Sequence, residues 1–251
     1  MLRIEGLSRS FGGVAALEAL DLAVADGEVV GLIGPNGSGK TTLFNVITGV
    51  HAADSGRVLL RDEDITKSTP AAIVRLGIAR TFQNLRIFQR MSVRENVWVG
   101  QHSLPSVGPL GLLSNRSAAE RARRAEVDGL LDAVGLADRR NVLAGSLPLP
   151  EQRRLELARA LARSPALLLL DEPAGGMTPA ETAEMAALIR DFAVPGRTCI
   201  VIEHKLDLIS TLCQRLCVLN FGRKIADGEP GQVLEHPEVL EAYLGGDTLD
   251  A

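Results

Sequence analysis

The stretch VVGLIGPNGSGKTT, residues 29–42, decides the fold of this chain. The apolar run Val29–Ile33 predicts a buried strand, and apolar spacing over Leu43–Ile47 predicts a helix after the glycine-rich turn. A strand, a G-x-x-x-x-G-K-T loop and a helix in this order cradle phosphate groups, because glycines let backbone N–H groups approach a polyanion and the helix adds its positive end. The sequence therefore predicts a nucleoside triphosphate site built from Gly34, Pro35, Asn36, Gly37, Ser38, Gly39, Lys40, Thr41 and Thr42.

Two side chains of this loop have distinct expected roles. Lys40 supplies a positive charge for the β- and γ-phosphates, and Thr41 supplies a hydroxyl for Mg²⁺. The alternative is a glycine turn that only joins a strand to a helix. The agreement of all loop positions and of both flanks speaks against that alternative.

Composition narrows the class of protein. The 251 residues suffice for one domain with a subdomain, and 46% of them are hydrophobic. No apolar run approaches the ~20 residues that cross a bilayer, and no signal peptide is visible, so we expect a cytoplasmic protein. The net charge of −4 gives no general reason to bind nucleic acid.

Two arginine clusters and the three cysteines are interpreted as structural rather than functional features. Arg121, Arg123 and Arg124 lie among glutamates in a helix-like stretch, and so do Arg153 and Arg154. This pattern predicts solvated, ion-paired helix faces. The three cysteines show no metal-ligand spacing with histidine, and we expect buried free thiols.

A second strong signal is LLLLDEP, residues 167–173. A buried parallel strand would deliver two carboxylates at its C-terminal end, where ligands bind in open α/β sheets. Asp171 would hold the Mg²⁺ shell, and Glu172 would polarise the attacking water as general base. TCIVIEH, residues 198–204, is another buried strand, and it makes His204 a candidate γ-phosphate contact.

The order of predicted elements indicates an α/β fold. Two strands precede the phosphate loop, and strands return at residues 166–170, 198–202 and 215–219, the first two linked by a helix over 179–192. From about residue 84 to residue 162 the chain is mostly helical, with a Pro/Gly-rich break at 104–111 and a helix over 151–163 led by Pro150. We predict a P-loop core of residues 1–83 and 163–251, including an N-terminal β subdomain, and an inserted helical subdomain of residues 84–162.

With these residues in place, the chain resembles the nucleotide-binding subunits of ABC transporters over nearly its whole length. The resemblance implies an ABC-type nucleotide-binding domain with a mixed sheet, and ATP and Mg²⁺ as its ligands. Gly34–Thr41 becomes the Walker A loop, and Leu167–Asp171 the Walker B strand with catalytic Glu172. Gln83, in RTFQN (80–84), matches the Q-loop, which in the family reaches the metal and couples to the transmembrane subunit.

The resemblance assigns three further positions. AGGM, residues 174–177, occupies the D-loop position, and His204 that of the switch histidine. Phe11 lies where the family stacks an aromatic ring on adenine, and a core anchor is the alternative for this residue.

Four stretches narrow the family further: GIARTFQNLRIFQRMSVRENVWVGQH (77–102), EQRRLELARAL (151–161), VIEHKLDLI (201–209) and EAYLGGD (241–247). Together they resemble the uptake ATPases of branched-chain amino-acid permeases. Urea and other amide importers have close relatives, so the substrate stays open.

The chain departs from its family in one place. The signature reads L-S-G-G-Q in the family and tends toward L-P-Y-G-Q/E in this subgroup, and here it reads Leu147, Pro148, Leu149, Pro150, Glu151. Both prolines lack an N–H donor, and Pro148 lacks the serine hydroxyl. What remains is the N-terminal end of the following helix. We expect a weakened contact to the ATP of the opposite subunit, or else a family that tolerates variation here.

The resemblance implies an ATPase motor for a membrane importer of branched-chain or related amino acids. Its partners would be a second ATPase subunit, identical or different, transmembrane permease subunits, and indirectly a substrate-binding protein. The exposed face of the insertion around residues 84–101 would dock the permease, at the cytoplasmic face of the membrane. Alternatives are a regulatory or weakly hydrolysing cassette and a cassette acting on DNA or ribosomes. A GTPase would need an N-K-x-D segment, which the chain lacks.

Overall fold

The computed structural model describes residues 1–101 and 116–244 of the chain. Within these ranges no helix has the length and apolarity needed to cross a bilayer. The fold consists of two sheets with a helix between them, and of further helices on the other side of the larger sheet.

The N-terminal part of the chain forms a four-stranded antiparallel sheet. Alternating side chains on the first two strands, such as Leu2, Ile4, Leu20 and Leu22, are buried because they face the rest of the core. In spatial order, the strands are β2 (Val14–Val24), β1 (Leu2–Phe11), β4 (Ser55–Leu60) and β5 (Glu63–Asp64).

The second sheet has six strands, five parallel and one antiparallel at the edge. Its three central strands are buried along their whole length, as expected when helices or another sheet cover both faces. In spatial order, the strands are β10 (Arg223–Gly228), β9 (Arg215–Asn220), β3 (Val29–Ile33), β8 (Thr198–Ile202), β7 (Leu167–Asp171) and β6 (Ile78–Arg80).

Helices cover this second sheet. The first helix packs with both sheets through Leu43 and Phe44, whereas five later helices, α5 to α9, pack on the opposite face. The helices are α1 (Lys40–Ile47), α2 (Pro70–Arg75), α3 (Val93–Gln101), α4 (Arg116–Ala133), α5 (Leu149–Leu161), α6 (Pro179–Leu188), α7 (Leu206–Leu212), α8 (Pro230–Leu234) and α9 (Pro237–Leu244).

Helices α3, α4 and α5 share an apolar cluster of their own, which includes Val97, Leu131 and Leu155. Helix α5 also contributes Leu157 and Leu161 to the cluster beneath the large sheet, so it packs on two sides. The division of the chain into a core and an inserted helical subdomain of residues 84–162 stays a prediction.

Most predicted elements are present, with shifted ends. Helix α5 begins at Leu149, so Pro150 lies inside its first turn rather than before it. Helix α6 ends at Leu188 and continues as a π-helical turn over Ile189–Ala193. The predicted break at residues 104–111 lies outside the described residues.

Candidate active site

The phosphate loop connects β3 to α1, and its backbone leaves no room for side chains at two positions. Gly34 and Gly39 have φ angles of 145° and 107°, in the region that favours glycine. A Cβ atom would lie 2.0 Å from the Leu219 carbonyl oxygen at Gly34, and 2.4 Å from the Ala16 carbonyl oxygen at Gly39. Glycine is therefore required at both ends of the turn.

Lys40 is buried at the start of α1, and its ammonium lies against the loop. The Lys40 Nζ atom donates to the carbonyl oxygens of Gly34 at 2.7 Å and Pro35 at 2.8 Å. Burial lowers the pKa of Lys40, while the nearby carboxylates of Glu172 and Asp171 oppose this shift. Next to Lys40, Thr41 is exposed and Thr42 half-buried. The loop thus carries a cation and an accessible hydroxyl at a helix N-terminus.

Asp171 ends β7 with one carboxylate oxygen paired and the other free. Its Oδ2 accepts a hydrogen bond from Arg80 Nη2 at 2.7 Å, whereas Oδ1 is buried without a hydrogen-bond partner. Burial raises the pKa of Asp171, and the Arg80 guanidinium opposes this shift. An unsatisfied buried carboxylate oxygen fits a cation ligand.

The free Oδ1 of Asp171 and the accessible hydroxyl of Thr41 are oxygen donors that fit Mg²⁺. Among residues 1–101 and 116–244, no group of three or more His, Cys, Asp or Glu side chains could form a complete metal cage. Mg²⁺ does not need one, because it is usually held by one or two carboxylates together with the phosphates of a substrate. Asp171 Oδ1 and the Thr41 hydroxyl have the chemistry to serve as such partial ligands.

The three residues predicted to be catalytic meet at one carboxylate. Glu172 Oε1 accepts a hydrogen bond from Gln83 Nε2 at 3.0 Å, and it lies 3.2 Å from His204 Nε2. Glu172 follows β7, Gln83 lies shortly after β6, and His204 lies just past β8. Since these parallel strands are neighbours in the sheet, their carboxyl ends bring the three side chains together. Glu172 itself has a φ of 47°, unusual for a residue with a Cβ atom.

Arg153 is not on a solvated face, so the interpretation of that pair of arginines is wrong for this residue. It is 8% exposed and donates hydrogen bonds to the backbone oxygens of Phe82, Gln83 and Gly175. Arg154 does lie on the outside, where it pairs with Glu184. Arg153 therefore joins helix α5 to the segment of Gln83 and to the loop after Glu172.

The signature residues begin helix α5. Pro148 is the N-cap, and no side chain caps the helix there. The first turn of a helix has unpaired N–H groups, but Pro148 and Pro150 have none to offer. Leu147 is buried, Pro148 and Leu149 are exposed, and Pro150 and Glu151 are half-buried. The donors that remain in the first turn are the N–H groups of Leu149 and Glu151.

Phe11 ends β1, at a site on the smaller sheet. Its ring is 40% exposed, lies 5.1 Å from the His51 ring, and has the Arg9 guanidinium 4.7 Å from its centroid. Stacking of this ring on adenine stays a prediction.

Sequence reasoning missed two residues of the site. Arg80, which pairs with Asp171 and also donates to Asn45, stands at the end of the strand before Gln83. A charged residue that ends a sheet strand is a signal that could have identified it. The hydroxyl oxygen of Tyr243, in α9, accepts a hydrogen bond from the Gly34 N–H; burial raises the pKa of Tyr243, and this hydrogen bond opposes the shift. No motif in the sequence links it to the loop.

The cysteines are buried free thiols, as predicted. Burial raises the pKa of Cys199, Cys213 and Cys217 to about 12. Buried thiols with a raised pKa are poor nucleophiles, which agrees with a structural role.

Comparison with known proteins identifies the family. The family model for ABC transporters matches residues 17–175. The high-affinity branched-chain amino acid transport ATP-binding protein LivG of Escherichia coli (strain K12) is 39% identical over 249 residues, which cover 98% of each chain. This chain belongs to the ABC transporter ATP-binding family. It is an ABC-type ATPase, as the resemblance of its motifs predicted.

Two further comparisons refine the similarity. The family model for branched-chain amino acid ATP-binding cassette transporters matches residues 223–248. BraF, a protein of Pseudomonas aeruginosa (strain PAO1) with the same description as LivG, is 39% identical over 98% of both chains. A solved ATP-binding cassette of an ABC transporter in its ADP conformation has a TM-score of 0.85 and 34% identity, again over 98% of both chains. Fold and nucleotide class are therefore those predicted.

Proposed function

We propose that this chain is the ATP-hydrolysing subunit of an importer for branched-chain or related amino acids. Two such cassettes close on ATP, hydrolysis reopens them, and the movement passes to transmembrane permease subunits. A substrate-binding protein delivers the transported molecule to these subunits. The relatives are named for branched-chain amino acid transport, and the C-terminal segment matches the corresponding family model. The chain would work at the cytoplasmic face of the membrane.

The observation that carries the proposal is the meeting of Gln83, Glu172 and His204 beside the phosphate loop. Glu172 places its carboxylate where the three side chains meet, so it orients and deprotonates the attacking water. Gln83 and His204 hold its carboxylate, and Lys40 supplies charge to the β- and γ-phosphates. Thr41, Gln83 and Asp171 would hold Mg²⁺, which neutralises phosphate charge when bound.

A groove between the insertion and the core supports a docking site for the permease. Phe82 lines it from the core side, and Arg86, Phe88, Val99 and Arg159 line it from the insertion side. Phe88 and Val99 are among the exposed large hydrophobic residues of the chain, which is typical of an interaction surface. Movement of Gln83 at the edge of this groove would pass to the permease.

The experiment measures ATP hydrolysis by the purified chain, alone and mixed with its candidate partner ATPase, with Glu172→Gln as control. Activity that depends on Glu172 and rises on mixing supports the proposal. No hydrolysis in either case would contradict it. In the assembled transporter, Val99→Glu should abolish stimulation by the permease and leave the basal rate unchanged. If stimulation persists in this variant, the groove is not the docking site.

A further inference from the structure

The two residues that flank His204 in the sequence both contact the loop that follows Glu172. We call residues 174–177 the post-base loop. Glu203 is 3% exposed, and its Oε1 accepts a hydrogen bond from the Ala174 N–H at 3.0 Å. Its Oε2 accepts from the His204 N–H at 3.1 Å. One buried carboxylate thus joins the backbone of the histidine to the first residue of the post-base loop.

Lys205 holds the same loop at both ends. Its Nζ atom donates to the carbonyl oxygens of Ala174 at 3.1 Å and Met177 at 2.9 Å, and to Thr182 Oγ1 at 2.6 Å. An ammonium group has three donors, and these contacts use all of them. Lys205 therefore has no donor left for a ligand, although it lines a surface cavity between α6 and α7. All three hydrogen bonds of the Lys205 ammonium are made to groups of the protein.

The post-base loop is in turn tied to Glu172. The Gly175 N–H donates to the Glu172 carbonyl oxygen at 3.0 Å, and the Met177 N–H donates to the Ala174 carbonyl oxygen at 3.2 Å. Glu172 needs such support, because its φ of 47° is a conformation that persists only when the surroundings enforce it. A displacement of the loop would therefore displace Glu172.

We propose that Glu203 and Lys205 are positioning residues, which fix the post-base loop and through it the 3.2 Å contact between Glu172 and His204. Glu203 fixes the histidine side and Lys205 the loop side of this contact. The catalytic consequence rests on the proposed function, whereas the effect on the loop does not. Neither residue touches the reacting atoms.

The test compares Lys205→Met with Lys205→Arg and with Lys224→Met. Lys224 is a matched control, because its ammonium pairs with Asp227 on the β9–β10 hairpin, away from the loop. Lys205→Met should lower kcat about tenfold and leave KM within about twofold, since a charge-assisted contact is lost outside the nucleotide cradle. Lys205→Arg should recover most of the rate, and Lys224→Met should match the wild type.

Hydrogen exchange gives a readout that does not need activity. Peptides that contain residues 173–178 should exchange about tenfold faster in Lys205→Met, while peptides of the phosphate loop should not change. Thr182→Val removes only one contact of Lys205, and it should show a smaller effect of the same kind. This variant replaces Lys205→Met in the test if Lys205→Met does not fold.

Three results would overturn the proposal. The first is unchanged hydrogen exchange in residues 173–178 of Lys205→Met, and the second is faster exchange with unchanged kcat. The third is a loss of kcat that Lys205→Arg does not recover and that parallels a loss of nucleotide affinity. A wild-type chain without any Glu172-dependent hydrolysis would instead contradict the proposed function. Hydrogen exchange in Lys205→Met would then decide by itself whether Lys205 holds the loop.

Discussion

The phosphate loop and the signature segment are both helix N-termini, yet they differ in what they offer a phosphate group. The phosphate loop brings three glycines, a buried lysine and an exposed threonine to the start of α1. The segment 147–151 brings two prolines to the start of α5, which removes backbone donors from its first turn. We therefore propose that one chain carries a strong phosphate site of its own and offers a weaker one to a partner.

The difference follows from where each segment lies. The phosphate loop is enclosed by Ala16, Leu219 and Gly222, so its geometry admits only glycine at two positions. Pro148 and Leu149 are exposed, and helix α5 is held instead by its interior, through Arg153 and the apolar cluster with α3 and α4. The surrounding structure therefore restricts the residue types of the phosphate loop closely, and those at the exposed positions 148 and 149 only little.

The largest effect should come from Glu172, which we propose as the general base. Glu172→Gln removes the proton acceptor, and we expect hydrolysis to fall at least about a hundredfold while ATP still binds. Steady-state rates and binding of a fluorescent ATP analogue measure the two effects separately. Glu184→Gln, at a surface position of α6, is the control and should match the wild type. Retained activity in Glu172→Gln would exclude Glu172 as the base.

A second effect should come from Arg153, which joins helix α5 to the segment of Gln83 and to the loop after Glu172. Arg153→Met leaves the carbonyl oxygens of Phe82 and Gln83 and the buried Glu156 without their cation, so we expect a loss of about 2–4 kcal/mol in the free energy of unfolding. Chemical denaturation measures this loss.

The neighbouring arginine provides the control for that variant. Arg154→Met breaks only a surface ion pair with Glu184, and its cost should stay below about 1 kcal/mol. If the two variants are equally stable, Arg153 does not connect α5 to the site.

A smaller effect is expected at Phe11. Stacking on a base is worth about 1–3 kcal/mol relative to alanine, and leucine keeps part of the apolar contact, so Phe11→Leu should weaken ATP binding about five- to tenfold. An unchanged affinity with a lowered melting temperature would instead identify Phe11 as an anchor of the smaller sheet. His51→Ala removes the neighbouring ring and controls for the packing of this surface.

The sequence predicts best where a local pattern has one physical solution. The phosphate loop, strands β7 and β8, and the positions of Glu172 and His204 follow from apolar runs that end at glycines or at charged residues. The parallel pairing of β6, β7 and β8 then brings Gln83, Glu172 and His204 together without further information.

Long-range contacts of single side chains could not be predicted in this way. Arg153 has the local pattern of a surface arginine, with Glu156 three positions later, and only the packed fold turns it inward. Tyr243 reaches Gly34 from the far end of the chain. Strand β10 was missed because its polar residues alternate weakly, and it forms through a tight hairpin at Phe221 and Gly222.

The most direct test of the contrast between the two segments uses mixed chains. A Lys40→Ala chain that also carries Pro148→Ser and Pro150→Gly cannot use its own phosphate loop, but it can offer a restored signature to a wild-type chain. We predict that this mixture hydrolyses ATP about ten- to a hundredfold faster than a mixture of wild type with Lys40→Ala alone, because each recovered phosphate contact is worth about 1.5–3 kcal/mol. Equal rates in the two mixtures would contradict the account, since the signature would then work without those donors.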